Sequence, residues 1–264
     1  MNKYLGIFKT SFKQESDAIF DTLFRCVMYT LFTYVLIELW SYIYGEGAQD
    51  LINGYTLVQM LWYLIIGECL VNTTKCAQIT RDISNEIKSG SIAYKLNKPY
   101  NFYLYSISSF MAKTCFTALF TIPTAIVIGI IFAGIPATFT PVQILPCILV
   151  FIFSTFISWC LYGVIGLIAF WTQDSTPYYW VVSKTFLLLG TFFPIEFFPG
   201  WLQPIIRFSP IYSITSGPSG LVAAFSWSSF ATILLSQIIW CSIILLIGIC
   251  LFNLGRRRVT SNGG

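Results

Sequence analysis

The sequence predicts an all-α protein that crosses a membrane several times. Hydrophobic residues make up 56 % of the 264 residues, whereas only 10 % are charged. The mean hydropathy is +0.74, and several apolar runs reach the roughly 20 residues that a membrane-spanning helix needs. A water-soluble domain of this length would not carry so many such runs. We therefore predict one polytopic domain, residues 1–264, with six membrane-spanning helices.

The N-terminal segment, residues 1–21, is predicted to form an amphipathic helix that lies along the membrane surface. Apolar Leu5, Phe8 and Phe12 alternate here with basic Lys9 and Lys13. Charged residues interrupt the segment too often for the apolar core of a cleavable signal peptide.

Six apolar segments follow, and each is predicted to cross the membrane. Their approximate bounds are 22–44, 55–76, 102–133, 143–171, 178–194 and 227–254.

Basic residues are distributed unevenly over the connections between these spans. If both termini are cytoplasmic, that side holds the N-terminal lysines, the basic residues of segment 80–99 and the arginines 256–258, while the outer side holds only Arg207. This asymmetry follows the positive-inside rule. We therefore predict a multi-pass protein of the cell membrane with both termini in the cytoplasm. The net charge of +4 reflects this orientation and does not indicate nucleic-acid binding.

The connection between the second and third spans, residues 80–99, is predicted to contain a short amphipathic helix. Three isoleucines recur every four residues and share one helix face: Ile79, Ile83 and Ile87. Thr80 is predicted to be the N-cap, and Gly90 is predicted to end the helix. We expect no other part of this chain to cover the isoleucine stripe. The alternative is a solvated loop with an incidental helical turn.

The connection between the fifth and sixth spans, residues 194–220, is apolar but contains five prolines and three glycines. Proline lacks the backbone N–H donor that a helix interior requires, so this segment cannot be one straight helix. We predict two short helical pieces that dip into one face of the membrane.

The residue types present exclude several chemistries. The chain has no histidine, which excludes Ser-His triads, His-ligated haem and HExxH zinc sites. Its eight cysteines lie in or beside apolar runs without a C-x-x-C pair, a pattern typical of reduced, buried side chains. We therefore expect no catalytic residue, no metal and no bound cofactor on this chain.

Four ionisable residues lie within predicted spans: Glu38, Glu68, Lys113 and Lys184. A charge at the bilayer centre costs about 2.5–3.5 kcal/mol on insertion scales. We expect Lys113 and Lys184 to lie near span ends, where their ammonium groups reach the membrane surface. Glu68 is deeper, and two interpretations stay open: a role in the transport path or between helices, or a carboxylate that also reaches the surface.

Two motifs resemble the sequences of type-2 ABC exporter permeases. The first consists of Glu86, Gly90, Ser91, Ile92, Leu96, Pro99 and Lys113. The second consists of Pro194, Pro199, Gly200, Trp201, Leu202 and Pro210. With the six spans and the N-terminal helix, the resemblance extends over nearly the whole chain. Residues 92–99, IAYKLNKP, are most similar to a branch of multidrug, viologen or peptide exporters.

The resemblance implies roles for these residues. The helix at 80–90 would be a coupling helix seated in a groove of a separate ABC ATPase. Glu86 and Gly90 would belong to it, and we add Asp82, Ile83 and Ile87 from the same helix, with the isoleucines as apolar anchors. Re-entrant helices would cap the outer side of the pathway through Pro194, Pro199, Gly200, Trp201 and Pro210. Lys113 would lie at the inner end of the third span, and neither Glu196 nor Arg207 aligns with the charged residue that the family often places in the outer turn.

The expected function follows from the same resemblance. The sequence has no G-x-x-x-x-G-K-[ST] loop for nucleotide phosphates, so ATP and magnesium are expected on a partner ATPase, itself a dimer. A second permease, identical or paralogous, would complete a path for export of an amphipathic drug, lipid or peptide across the lipid bilayer.

Two other classes of function are weighed against this one. An ATP-independent channel or secondary transporter would show paired charges within its spans or an internal repeat, and the chain shows little of either. A membrane enzyme would need a Ser-His dyad or paired aspartates at span centres, which the chain lacks.

Overall fold

The fold is helical in the computed structural model, which describes residues 2–46, 51–96, 102–135 and 140–261. Within these ranges no β-strand forms, and an isolated bridge joins Ile52 to Tyr55. A helix satisfies every backbone N–H and C=O group internally, which a chain inside a bilayer requires. The prediction of an all-α protein is confirmed.

The described helices are numbered in chain order. The first half of the chain contains α1 (Asn2–Asp17), α2 (Ile19–Glu46), α3 (Leu57–Thr74), α4 (Cys76–Lys88), α5 (Ser91–Leu96) and α6 (Phe102–Phe132). The second half contains α7 (Ile144–Leu167), α8 (Ala169–Thr172), α9 (Thr176–Phe186), α10 (Leu202–Arg207), α11 (Gly217–Ala223) and α12 (Trp227–Ser261).

Among the residues that the structure describes, five helical stretches are long and apolar enough to cross a membrane. They cover Ile19–Gly45, Leu57–Lys88, Tyr105–Phe132, Pro141–Thr172 and Trp227–Arg257. The helical stretch at the predicted fifth span is shorter than these five stretches. Helix α9 has 11 residues and continues for 6 more as a wide π-helical turn, Leu187–Phe192. The sixth crossing therefore stays a prediction.

Helix α3 is the centre of the bundle. Met60, Leu64 and Ile65 are fully buried, and α3 packs against α2, α6, α7 and α11. The capping box formed by Thr56 and Gln59 fixes where this helix begins.

Two π-helical turns pack against one another beside α3: Leu187–Phe192 and Tyr212–Ser216. A Cβ atom added to Gly190 would lie 2.1 Å from the hydroxyl oxygen of Thr215, so only glycine allows this approach. The buried hydroxyl of Tyr63 on α3 donates to the carbonyl oxygens of Gly190, at 2.7 Å, and Phe193, at 3.1 Å. Tyr63 thereby satisfies carbonyls at the point where the helix from α9 ends.

Helix α1 is attached to the bundle by a buried ion pair. Lys75 separates α3 from α4 in a left-handed conformation with φ of 48°, and its ammonium group lies 2.5 Å from the carboxylate of Glu15 on α1. Both side chains are more than nine-tenths buried. Phe12 packs edge-on against Phe116 of α6, so α1 contacts two different parts of the bundle.

Replacing Lys75 with methionine should destabilise the protein by about 3–5 kcal/mol, because Glu15 would stay buried without its partner. Thermal unfolding of the purified chain in detergent measures this loss. The double variant Glu15→Leu/Lys75→Met removes both charges and should recover most of the stability. A single variant as stable as the unaltered chain would show that the pair does not hold α1 in place.

Candidate coupling surface and membrane cleft

Helix α4 lies at one end of the bundle, and its isoleucine stripe is buried inside this chain. Ile79 and Ile83 are 1 % and 7 % exposed. A Cβ atom added to Gly166 of α7 would lie 2.9 Å from the Cβ atom of Ile83, so the two helices touch at a glycine. The prediction that no part of this chain covers the stripe is wrong. Periodicity reveals an apolar face, but the glycine that receives it lies about 80 residues further along the chain.

The predicted N-cap is also wrong. Thr80 lies inside α4, and its hydroxyl donates to the carbonyl oxygen of Tyr162 on α7 at 3.0 Å. The helix begins four residues earlier, at Cys76, because the left-handed conformation of Lys75 ends α3 there.

The predicted end of the helix is confirmed. Gly90 has φ of 71°, a conformation that favours glycine. Its N–H group donates to the carbonyl oxygen of Ile87 at 3.1 Å, and α5 starts at the next residue. Pro99 of the same motif lies outside the described residues.

Polar contacts tie the rest of α4 to its neighbours. The carboxylate of Asp82 lies 3.5 Å from the ammonium group of Lys113 on α6, which itself lies over the ring of Phe110 at 5.7 Å. The hydroxyl of Ser84 accepts the backbone N–H of Ser175, just before α9, at 3.3 Å. Helix α4 is thus connected to α6, α7 and the start of α9.

The short connection before α9 is organised by Asp174. Its carboxylate accepts the backbone N–H of Thr176 at 2.9 Å and the Thr176 hydroxyl at 2.7 Å. These two hydrogen bonds, the backbone one first, lower the pKa of the Asp174 carboxyl. The carboxylate therefore stays ionised near neutral pH and stabilises the positive end of the helix dipole.

The predicted coupling residues divide into two groups. Asp82 and Ile83 are engaged within the chain, whereas Glu86 and Ile87 are half-buried and Gly90 is exposed. Asp82 and Glu86 line a depression of about 690 Å³ between α1, α4 and α6. We define the coupling surface as four residues of α4 and its C-terminal end that are at least partly accessible: Asp82, Glu86, Ile87 and Gly90.

The predicted cap lies at the opposite end of the bundle and consists of an exposed rim and a buried part. Pro199, Gly200 and Trp201 are exposed, with Trp201 at 71 %. Pro194 is buried and Pro210 is half-buried. The helical stretch that follows Pro210 inserts between α3, α7 and α12. Two helical pieces occur here as expected, while their depth in a membrane stays a prediction.

A contact that the sequence did not reveal joins this cap to the loop before α3. The carboxylate of Glu196 accepts the hydroxyl of Tyr55 at 3.2 Å and a guanidinium N–H of Arg207 at 3.1 Å. Burial, followed by the nearby Glu196 charge, raises the pKa of the Tyr55 phenol well above its usual value. Tyr55 therefore stays protonated and remains a donor. No motif connects these three residues, which lie up to about 150 positions apart.

Glu68 is buried in α3 and is 3 % exposed. One of its carboxylate oxygens has no hydrogen-bond partner among the described residues. The next residue towards the N-terminus, Gly67, packs against Thr191 and Ser219. The position is interior, so the interpretation that this carboxylate reaches the membrane surface is wrong, and a role in transport stays a prediction.

A cleft of about 640 Å³ opens at the α4 end of the bundle, between α2, α4 and α9. We call it the membrane cleft and define it by six of the side chains that line it: Arg25, Phe32, Arg81, Tyr179, Trp180 and Lys184. It extends from the charged end of α4 up to apolar residues in the middle of the spans, so its surface is amphipathic.

Comparison with known proteins identifies the family. A search of the curated proteins finds no match for this chain. The family model described as ABC-2 family transporter protein matches residues 27–263, which includes α4, the cap and nearly all of the membrane-spanning helices. The chain therefore belongs to the ABC-2 transporter family, as a membrane-spanning permease.

Proposed function

We propose that this chain is the permease subunit of an ATP-driven exporter of amphipathic substrates. A separate ABC ATPase dimer binds ATP and magnesium and docks on the coupling surface at the cytoplasmic side. Six crossings, with α9 and its π-helical turn as the fifth, place both termini in the cytoplasm of a cell-membrane protein.

The observation that carries this proposal is the double-sided character of α4. One side is buried against α7 through Ile79 and Ile83 and is tied to α6 by the pair between Asp82 and Lys113. The other side is accessible at Gly90 and partly accessible at Glu86. A partner that moves the accessible side therefore also moves the spans. This is what a coupling element has to do.

The role of Ile83 changes within this proposal. As an anchor in an ATPase groove it would have to be accessible, but it is buried against α7. Ile83 instead fastens α4 to the spans. Ile87 packs against the same apolar cluster but is only half-buried, so its accessible part, with Glu86 beside it, is the apolar contact offered to the partner. Helix-in-groove recognition then uses the outer half of α4.

The open side of the membrane cleft supports the proposal that a second permease subunit is present. Helices α2 and α9 line it from one chain, and Trp180 and Arg81 on its walls are exposed. A second permease, identical or paralogous, would close the open side and complete a path. The polar end and apolar ceiling of the cleft suit a substrate that has both characters.

The experiment that tests the proposal is purification of the affinity-tagged chain from its own host in mild detergent. An ABC ATPase that co-purifies and hydrolyses ATP is the expected result. Active transport by the chain without any ATPase would support the ATP-independent channel or carrier instead.

Replacing Gly90 with valine should reduce recovery of the ATPase by about tenfold, because valine disfavours the positive φ that ends α4 and would shift the coupling surface. Gly54→Val is a matched control: Gly54 also has positive φ, 86°, and open space around its Cα atom, but it lies at the opposite end of the bundle. Quantitative mass spectrometry of the purified complex compares the two variants. Equal ATPase loss in both, or in neither, would contradict the role of α4.

Replacing Gly166 with alanine should weaken the packing of α4 on α7, since the new Cβ would lie 2.9 Å from Ile83. Overpacking of this kind costs about 1–3 kcal/mol, and ATP hydrolysis should respond less to substrate although the ATPase still binds. Gly163→Ala is the control, because its Cβ would lie at an ordinary 3.8 Å from Ile83. If both variants keep full substrate stimulation, the α4–α7 contact does not transmit the movement.

The proposed orientation predicts which positions an impermeant thiol reagent reaches in sealed cells. The eight native cysteines are first replaced by alanine. A cysteine at exposed Ala224, between α11 and α12, should then react from outside, whereas one at exposed Ser89 should react only after the membrane is permeabilised. Labelling of Ser89→Cys in intact cells would reverse the orientation and remove the coupling surface from the cytoplasm.

A further inference from the structure

The lining of the membrane cleft has an excess of positive charge. Four basic residues line it, Arg25, Lys75, Arg81 and Lys184, against two acidic ones, Asp21 and Asp82. This excess affects a ligand only where no carboxylate neutralises the basic residue. The ion-pair partner of each charged side chain therefore has to be identified first.

The paired charges cancel nearly completely. Lys75 is paired with Glu15, and Asp82 is paired with Lys113. The Asp21 carboxylate lies 3.7 Å from the guanidinium group of Arg25. These pairs leave little net charge for a ligand.

Two cations remain. In the part of the chain that the structure describes, no carboxylate oxygen lies within 4 Å of Arg81 or Lys184. Both side chains are exposed to the cleft, so water or a ligand can reach them. A ligand with a negative group would gain two charge-assisted contacts here.

Lys184 also occupies the aromatic ring face that would otherwise bind a cationic ligand. Its ammonium group lies over the ring of Trp180 at 5.3 Å from the centroid, so that aromatic face is already in use. A cationic ligand would meet both repulsion from Lys184 and competition for the ring. An anion would instead be attracted.

The position of Lys184 along α9 brings its charge next to the apolar part of the cleft. It lies about 12 Å along the helix from the start of α9, at 1.5 Å per residue. Above it, Phe32, Leu187 and Ile214 form an apolar ceiling to the cleft.

We infer that the membrane cleft binds an amphipathic anion, with the anionic group between Arg81 and Lys184 and the apolar body against Phe32 and Trp180. This names the substrate class of the exporter proposed above and rests on that proposal. It also sets this chain apart from exporters of viologens, which are dications.

Binding of two radiolabelled amphipaths with unbranched chains of twelve carbon atoms tests this inference: laurate, an anion, and dodecyltrimethylammonium, a cation. The purified full-length chain is placed in nanodiscs of zwitterionic phosphatidylcholine, and empty nanodiscs give the background. Laurate should bind saturably and about tenfold more tightly than the cation. Equal affinity for both, or tighter binding of the cation or of methyl viologen, would overturn the inference.

Charge reversal locates the site. Arg81→Glu and Lys184→Glu should each weaken laurate binding about tenfold and strengthen binding of the cation. Lys88→Glu is the matched control, because Lys88 is an exposed lysine on the same helix as Arg81 but does not line the cleft. The milder variants Arg81→Gln and Lys184→Gln, checked for unchanged elution and helix content, keep the test valid if a reversed charge disturbs folding. Laurate affinity unchanged in all four cleft variants would overturn the inference.

The anionic group could also belong to a resident lipid of the bilayer. Native mass spectrometry separates the two sources: an anionic phospholipid that stays bound to the unaltered chain, is lost from Arg81→Glu and is not displaced by laurate would overturn the assignment to cargo. The proposed function is judged separately by co-purification of the ATPase, since laurate binding needs no ATP. If the chain forms a complex with the ATPase but does not prefer the anion, the proposed exporter function is retained and only the inferred negative charge of its substrate is rejected.

Discussion

The contact between Ile83 and the glycine face of α7 is the interaction on which the arrangement of this chain depends. Without it, α4 would lose the closest approach of its apolar face to the spans and would depend mainly on polar contacts. With it, and with the polar ties to α1 and α6 through Lys75 and Asp82, the helix is fastened to its neighbours on several sides. Packed interfaces of this kind shift between discrete positions instead of deforming gradually, which suits the transmission of a step driven by ATP.

Inside the bundle, the main constraint is that polar groups need partners where water is absent. Tyr63 satisfies two carbonyls at the end of a π-helical turn. The side-chain amide nitrogen of Gln237 on α12 lies 3.0 Å from the carbonyl oxygens of Val150 and Ser213 and from the hydroxyl of Ser154. These bonds fasten α7, α12 and the cap to one another. The irregular backbone in the buried part of the cap is tolerated because protein surrounds it.

Features that depend on local sequence were predictable. Apolar length predicted which stretches form long helices, and Gly90 ends α4 because its conformation is a local property. Features that depend on distant partners were not. The burial of Ile83, the pair between Glu15 and Lys75, and the contact of Tyr55 with Glu196 all join segments far apart in sequence. A single chain gives the chemical character of each residue but not the residue that it meets.

The separation in sequence between Glu15 and Lys75, 60 residues, has a consequence for how the protein is made. Synthesis proceeds from the N-terminus, so α1 is complete before the residue that holds it exists. Its carboxylate has to remain in water at the membrane surface until α3 has been inserted. Helix α4 can reach its final packing only after α7 has been synthesised, because Thr80 donates a hydrogen bond to a residue 82 positions later. The coupling surface is therefore completed only after the fourth long helix has entered the membrane. An incompletely synthesised permease then cannot bind the proposed ATPase.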